Sequence, residues 1–188
     1  MTTLAYPLPL ADFAASSALK RGAAILGGSL FLALMAQITV PMWPVPMTMQ
    51  TFAIMLIGAF CGWRLAGETV LAYIAEAAVD LPVLAGGAAG VAKLLGPTGG
   101  YILGFLLAAM LIGLLFERGW SRAAPGLVAA FVLGLVVLYL PGLAWLATFV
   151  GGDKAVPLGV TPFLAGEAVK LALATAVVVA ARRFVARA

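Results

Sequence analysis

Six long runs of apolar residues dominate this chain and limit what it can fold into. They cover residues 23–39, 48–63, 65–79, 101–116, 127–150 and 161–184. Hydrophobic residues make up 64% of the 188 positions and charged residues 10%, against about 45–50% and about 25% in soluble proteins. A soluble chain of this size has too little interior to bury that surface. We therefore predict an all-α integral membrane protein with six transmembrane helices, because helices satisfy their own backbone hydrogen bonds in lipid.

The second and third runs are short, and only Arg64 separates them. They form either one bent hydrophobic hairpin or two tilted spans, and we favour two spans. Residues 1–22 are interpreted as a cytoplasmic N-terminal leader, because no basic residue precedes Lys20 as it would in a signal peptide. Residues 23–184 are expected to form a single six-helix transmembrane domain, and residues 185–188 a cytoplasmic tail.

The basic residues predict the orientation. With six spans, one side of the membrane receives Lys20, Arg21, Arg64, Arg118, Arg122, Arg182, Arg183 and Arg187. The opposite loops hold only Lys93 and Lys154, while Lys170 lies inside the sixth run. The positive-inside rule then places both termini in the cytoplasm and the protein in the cell (inner) membrane. The formal charge of +4 thus indicates topology, and no basic patch with interleaved aromatic residues points to nucleic acid.

The residue inventory excludes several kinds of chemistry. The chain has no histidine and one cysteine, Cys61. A disulfide framework within the chain is therefore impossible, a zinc cluster is not expected, and Cys–His or Ser–His catalysis is excluded. A membrane-embedded enzyme would need such a set, so we predict that the protein is not an enzyme. No phosphate-binding Gly-Lys-Ser/Thr sequence is present either, so any ATP-driven step would have to come from partners.

The connection between the first two runs is rich in proline. Pro41, Pro44 and Pro46 surround Trp43 and make the segment stiff and extended. We interpret these four residues as a lid loop across an opening on the outer side; the alternative is a plain interfacial connection. Gln50 follows, and its amide can both donate and accept hydrogen bonds.

A glycine-rich loop follows the third run. It contains Gly86, and then Thr98, Gly99 and Gly100 directly before Tyr101. Irregular backbone at membrane depth is tolerated where it lines a cavity or is buried in protein. Thr98 and the backbone N–H groups at the start of the next helix are candidates for binding an anionic group. The alternative is a flexible re-entrant loop without a ligand.

The last run carries an acid and an amine. Glu167 and Lys170 are three residues apart and share one helix face. Each charge costs about 2.5–3.5 kcal/mol at the bilayer centre, so both must face protein or water. They form either a polar clamp for a ligand or an ion pair that only fixes helix packing.

Two other patterns leave alternatives open. Glu76 shares a face with Tyr73 and Asp80, and it serves either helix packing or pocket lining. Ala24 and Gly28 are small residues at four-residue spacing, which allows close approach of another helix, either within the chain or from another subunit.

Four segments together resemble one known family. VPMWPVPMTMQTF, LPVLAGGAAG, GPTGGYILGF and PFLAGEAVK, in this order on a six-helix pattern, are similar to the biotin-specific S components (BioY family) of energy-coupling-factor (ECF) transporters. The resemblance covers about residues 23–175. It implies an S-component-like fold that captures biotin from outside, without a cofactor. The other function considered is an S component for another vitamin or cofactor precursor.

The resemblance also implies partners and site residues. The partners are an ECF coupling transmembrane subunit, met through the Ala24 and Gly28 region, and two ABC-type ATPases. Glu167 stands where the family pattern usually has Asp, which lengthens the acid by one methylene. The residues expected to bind biotin are Glu167, Lys170, Gln50, Thr51, Gly86, Lys93, Thr98, Gly99, Gly100 and Tyr101.

Overall fold

The computed structural model describes residues 9–185, which form eight α-helices and one two-stranded hairpin. The helices are α1 Pro9–Ala15, α2 Ala18–Gln37, α3 Gln50–Ala78, α4 Val91–Leu94, α5 Gly99–Glu117, α6 Ala124–Val150, α7 Gly152–Gly159 and α8 Leu164–Val185. The strands are β1 Thr39–Val40 and β2 Met47–Thr48, which pair antiparallel. Single 3-10 turns lie at Ala85–Gly87, Trp120–Arg122 and Thr161–Phe163.

Helix α3 reverses direction at Gly62. That glycine has φ 70° and ψ 170°, a backbone conformation outside the helical region that only glycine adopts readily. A straight helix would separate residues 23 positions apart by about 35 Å. Gln50 and Tyr73 have that spacing, yet Gln50 Nε2 donates to the Tyr73 hydroxyl at 2.8 Å. Residues 50–61 and 63–78 are therefore two short antiparallel helices, as a hairpin requires.

Most of the apolar runs form helices long and apolar enough to span a membrane. Within residues 9–185, five helical segments meet that description: Ala18–Gln37, Gln50–Ala78, Gly99–Glu117, Ala124–Val150 and Gly152–Phe184. In their most apolar stretches, 67% of α3 and 61% of α5 are buried, against 17% of α2. Helices α3 and α5 therefore form the centre of the bundle, and α2 presents most of its surface to the outside.

Glycines bring α5 and α6 into close contact. A Cβ atom added at Gly104 would lie 2.3 Å from the Leu138 carbonyl oxygen, and one at Gly100 would lie 2.4 Å from that of Pro141. Small residues at such crossings let helix backbones approach closely where the hydrophobic effect does not drive association. Further along the same pair of helices, Phe116 and Phe131 stack with ring centroids 5.5 Å apart.

Basic residues gather at one end of the bundle. The Trp63 amide donates to Glu117 Oε1 at 3.1 Å, so the α3 reversal and the end of α5 lie together. Arg21 of α2 pairs with Glu68, with Arg21 Nε donating to Oε2 at 2.9 Å. At the far end of the chain, α8 places Ala174 and Val178 in one cluster with Phe116 and Leu127. The end defined by these contacts carries Lys20, Arg21, Arg64, Arg118, Arg122, Arg182 and Arg183.

Several predicted boundaries need correction. The second and third runs are divided at Gly62 instead of Arg64, because the positive φ requires glycine. Helix α7 was not predicted as a separate element, and the two-residue strands depart from a purely helical fold. Of the predicted leader, residues 9–22 form α1 and the start of α2, so it is largely helical there, and residues 1–8 lie outside the described residues. Residues 186–188 of the predicted tail also lie outside them.

Both patterns make packing contacts within the chain, and a contact of Ala24 and Gly28 with another subunit stays a prediction. Ser29 Oγ donates to Glu76 Oε1 at 2.7 Å, so the acid joins α2 to α3 and does not line the main cavity. A Cβ atom at Gly28 would lie 2.6 Å from Thr69 Cγ2. Gly28 therefore permits close approach of α2 to the second half of α3, which is an inner contact. Ala24 is partly buried and packs against the same core.

Candidate ligand-binding site

A cavity opens at the end of the bundle opposite the basic cluster. The space between its walls is about 660 Å³ when the part open to the outside is included. Its walls are mainly apolar and aromatic, with a few polar groups. The lining residues are Val45, Pro46, Met47, Thr48, Gln50, Thr51, Leu84, Ala85, Lys93, Thr98, Tyr101, Ile102, Phe105, Leu138, Tyr139, Phe163, Glu167 and Lys170.

Glu167, Lys170 and Thr51 form a closed triangle in the wall of this cavity. Lys170 Nζ donates to Glu167 Oε1 at 2.8 Å and to Thr51 Oγ1 at 3.1 Å. The Thr51 hydroxyl donates in turn to Glu167 Oε1 at 2.9 Å. The three residues are only 4–7% exposed. Threonine thus bridges the two charges, and the whole pair is withdrawn from solvent.

The triangle leaves hydrogen-bonding capacity on both charged groups. Glu167 Oε2 is buried and makes no hydrogen bond within the described part of the chain, although the Tyr139 hydroxyl lies close enough to interact with the Glu167 carboxylate. An ammonium group carries three N–H donors, and two of those of Lys170 are used within the triangle. A buried acceptor beside a buried donor is the arrangement that a ligand with adjacent N–H and C=O groups would satisfy.

Three helices begin at the cavity. Gln50 and Thr51 open α3, Tyr101 lies in the first turn of α5, and Glu167 lies in the first turn of α8. Helix N-termini carry partial positive charge, which stabilises a carboxylate such as that of Glu167. Together with Lys93, the same ends favour an anionic group on a ligand.

The proline-rich loop reaches the cavity with only part of its length. Pro46 lines the cavity together with neighbouring Val45, Met47 and Thr48. Trp43 is 80% exposed, and Pro41 and Pro44 do not line the cavity either. Of the four residues predicted as a lid, only Pro46 therefore lines the cavity, and their closing role stays a prediction.

The glycine-rich loop also contributes differently from the prediction. Lys93, Thr98 and Tyr101 line the cavity, but Gly86, Gly99 and Gly100 do not. The Gly99 and Tyr101 amides donate to the carbonyls of Gly96 and Thr98 at 2.9 and 3.1 Å, so they are not free to bind an anion. Gly100 instead packs against α6, as described above.

Several lining residues were missed from the sequence. Leu84, Tyr139 and Phe163 complete the apolar wall, and Met47 covers Gly166 at the start of α8. The sequence did offer a signal for Tyr139, because its hydroxyl lies inside the apolar run of α6. A buried tyrosine hydroxyl usually needs a polar partner, which indicates that the residue faces protein and not lipid. Leu84 and Phe163 carried no signal, because apolar residues in a membrane protein indicate lipid contact as readily as a pocket.

Comparison with known proteins identifies the family. A family model described as BioY matches residues 10–187. The chain belongs to the BioY family. This BioY-family protein is 45% identical over 157 residues to a probable biotin transporter BioY of Pyrococcus horikoshii. The alignment covers 82% of this chain and 91% of that protein. It is 35% identical over 151 residues to the biotin transporter BioY of Rhizobium etli, and that alignment covers 76% of this chain and 81% of the relative.

The fold agrees with a solved structure of the same kind. The S-component for biotin from an ECF-type ABC transporter superposes with a TM-score of 0.77 at 26% identity, covering 89% of this chain and 91% of that one. The predicted family resemblance is therefore confirmed. This BioY-family chain is a membrane protein of a transporter family, and its relatives are named as transporters and not as enzymes.

Proposed function

We propose that this protein is the substrate-capture subunit for biotin uptake and that it binds biotin in the cavity between α3, α5, α6 and α8. The observation that carries the proposal is the buried Glu167–Lys170–Thr51 triangle facing an apolar cavity, in a chain of the BioY family. Biotin is the transported ligand, and no cofactor is required.

The chemistry of biotin fits the groups in the wall. Its ureido ring offers two N–H donors and a carbonyl, its bicyclic body and alkyl chain are apolar, and its tail ends in a carboxylate. We assign Glu167 Oε2 to a ureido N–H and the third N–H of Lys170 to the ureido oxygen. The apolar wall takes the bicyclic body, with Tyr101 as one aromatic face. Lys93, which also lines the cavity, suits the carboxylate.

A ligand panel tests this proposal. Saturating biotin at 100 times its Kd is expected to stabilise the purified protein by about 2.7 kcal/mol, whereas riboflavin and thiamine add nothing. Iminobiotin, which replaces the ureido oxygen by a nitrogen that carries hydrogen, is expected to bind more weakly because Lys170 loses its acceptor. Thermal unfolding in detergent measures all four. Stabilisation by another vitamin and not by biotin would assign a different S component.

The finer topology is part of the proposal. With the α3 hairpin counted as two spans, the five candidate segments become six, and both termini lie on the side of the basic cluster. The positive-inside rule assigns that side to the cytoplasm, so the cavity faces outward in the cell (inner) membrane. This orientation suits capture from outside.

Cysteine labelling in whole cells tests the orientation. In a Cys61→Ala background, the exposed positions Lys154 and Arg122 are each replaced by cysteine. A membrane-impermeant maleimide is expected to label Lys154→Cys in intact cells and Arg122→Cys only after the cells are opened. The reverse pattern would place the cavity on the cytoplasmic side and contradict outward capture.

The energy for uptake is proposed to come from partners. The solved neighbour belongs to an ECF-type ABC transporter, and this sequence has no phosphate-binding motif. We propose that the chain works with an ECF coupling transmembrane subunit and two ABC-type ATPases. Co-purification of a coupling subunit and of ATPase subunits with the tagged protein from its native membrane would support this assembly.

A further inference from the structure

A chain of buried and partly buried hydrogen bonds runs from the cavity wall into the protein. The Thr48 hydroxyl donates to Gln50 Oε1 at 3.0 Å, and Gln50 Nε2 donates to the Tyr73 hydroxyl at 2.8 Å. Tyr73 donates in turn to the Val83 carbonyl at 3.0 Å. Thr48 and Gln50 line the cavity, but Tyr73 does not, and it is fully buried.

The direction of this chain is determined by Tyr73. A phenol has one proton, and Tyr73 gives it to Val83, whose carbonyl can only accept. The Tyr73 oxygen must therefore accept from Gln50, and only the NH₂ end of that amide can donate. The carbonyl end of Gln50 is consequently turned to Thr48. Tyr73, which lies behind the cavity wall, thus determines that the NH₂ group of Gln50 faces Tyr73 and that its carbonyl oxygen faces Thr48.

The same tyrosine holds a segment that closes the cavity. Val83 is followed by Leu84, which is 3% exposed and lines the cavity. The Leu84 carbonyl accepts from Gln37 Nε2 at 3.2 Å. Adjacent carbonyls of this segment are therefore tied to α2 and to α3, and Tyr73 supplies one of the two ties.

We propose that Tyr73 is a positioning residue of the biotin site, which acts by fixing the orientation of the Gln50 amide and by holding residues 83–84 against the cavity. The inference rests on the proposed function, because it assigns a role in the same site. Without Tyr73, the Gln50 amide can rotate and present either end to the ligand, and the covering segment loses one anchor.

A double-mutant cycle tests the link to Gln50. Tyr73→Phe keeps the ring and removes both hydrogen bonds, and it is expected to weaken biotin binding about fivefold to tenfold, as the loss of one or two buried hydrogen bonds would. In a Gln50→Ala background the same change is expected to cost less, because only the anchor on residues 83–84 is then lost. An equal loss in both backgrounds would overturn the link to Gln50, and no loss in either would overturn the proposed role.

Hydrogen exchange supplies a readout that needs no ligand. The Leu84 and Gly90 amides, bonded to the carbonyls of Ala88 and Ala77, are expected to exchange at least threefold faster in Tyr73→Phe. The control is Thr69→Val in the same half of α3, because the fully buried Thr69 hydroxyl bonds only the Leu65 carbonyl among the described residues. Unchanged exchange in Tyr73→Phe, or equal acceleration in the control, would overturn the anchoring role. If the wild type fails to bind biotin, the proposed function fails, and exchange alone decides the role of Tyr73.

Discussion

Replacing Lys170 by methionine is expected to weaken biotin binding by a factor between about 30 and several thousand. This loss corresponds to about 2–5 kcal/mol. Methionine preserves the length of the side chain but removes the charge. Glu167 then lies buried with Thr51 as its remaining donor, and the ureido oxygen loses the N–H assigned to it. Isothermal titration with biotin measures the affinity directly.

Two comparisons separate binding from folding. Lys154→Met removes an exposed lysine, so it is expected to bind biotin as the wild type does. The double variant Glu167→Gln/Lys170→Met replaces the pair by uncharged groups, which relieves the unpaired buried charge. We expect its thermal stability to recover relative to Lys170→Met while biotin binding stays weak. Wild-type affinity in Lys170→Met would mean that the pair serves packing alone.

Gly104→Val is expected to lower stability by about 3 kcal/mol, the upper end of what overpacking usually costs. The added carbon would lie 2.3 Å from the Leu138 carbonyl oxygen. Backbone atoms on the opposite helix cannot rotate away, so α5 and α6 must separate. Since Leu138 and Tyr139 line the cavity, biotin binding is expected to weaken as well. Thermal unfolding and titration measure the two effects.

Gly27→Val is the matched control for that substitution. Gly27 lies on α2, and no atom from another described segment lies within 4 Å of the position its Cβ would occupy. The same residue change is therefore expected to leave both stability and biotin binding close to those of the wild type. If the two valine variants behave alike, close contact of α5 with α6 does not hold the cavity wall in place.

The sequence determined the broad architecture because hydrophobicity is a long-range pattern. Runs of apolar residues predict helices in lipid regardless of how those helices pack, and the charged pair in the last run must face a polar partner. Spacing on a helix face then brought Glu167 and Lys170 together, as the structure shows. These inferences depend on helix geometry and on the cost of charge in lipid.

The details of the cavity depend on contacts between distant segments. Thr51 and Glu167 are 116 positions apart, and no local pattern indicates that a hydroxyl at the start of α3 bridges the pair on α8. Gly99 and Gly100 seemed suited to ligand contact, yet Gly100 packs against α6, because glycine allows both uses. The predicted boundary at Arg64 lies two residues beyond the reversal at Gly62, because the charge that interrupts the apolar run marked it, whereas the reversal needs a positive φ that glycine supplies.

The structure of the protein with biotin bound is the most direct test of the proposed site. We expect the ureido ring beside the triangle, with its oxygen about 2.9 Å from Lys170 Nζ and one N–H directed at Glu167 Oε2. The Thr51 bridge should be retained. Biotin lying elsewhere, for example in the apolar groove between α1, α2 and the first half of α3, with the Glu167–Lys170 pair untouched, would contradict the account.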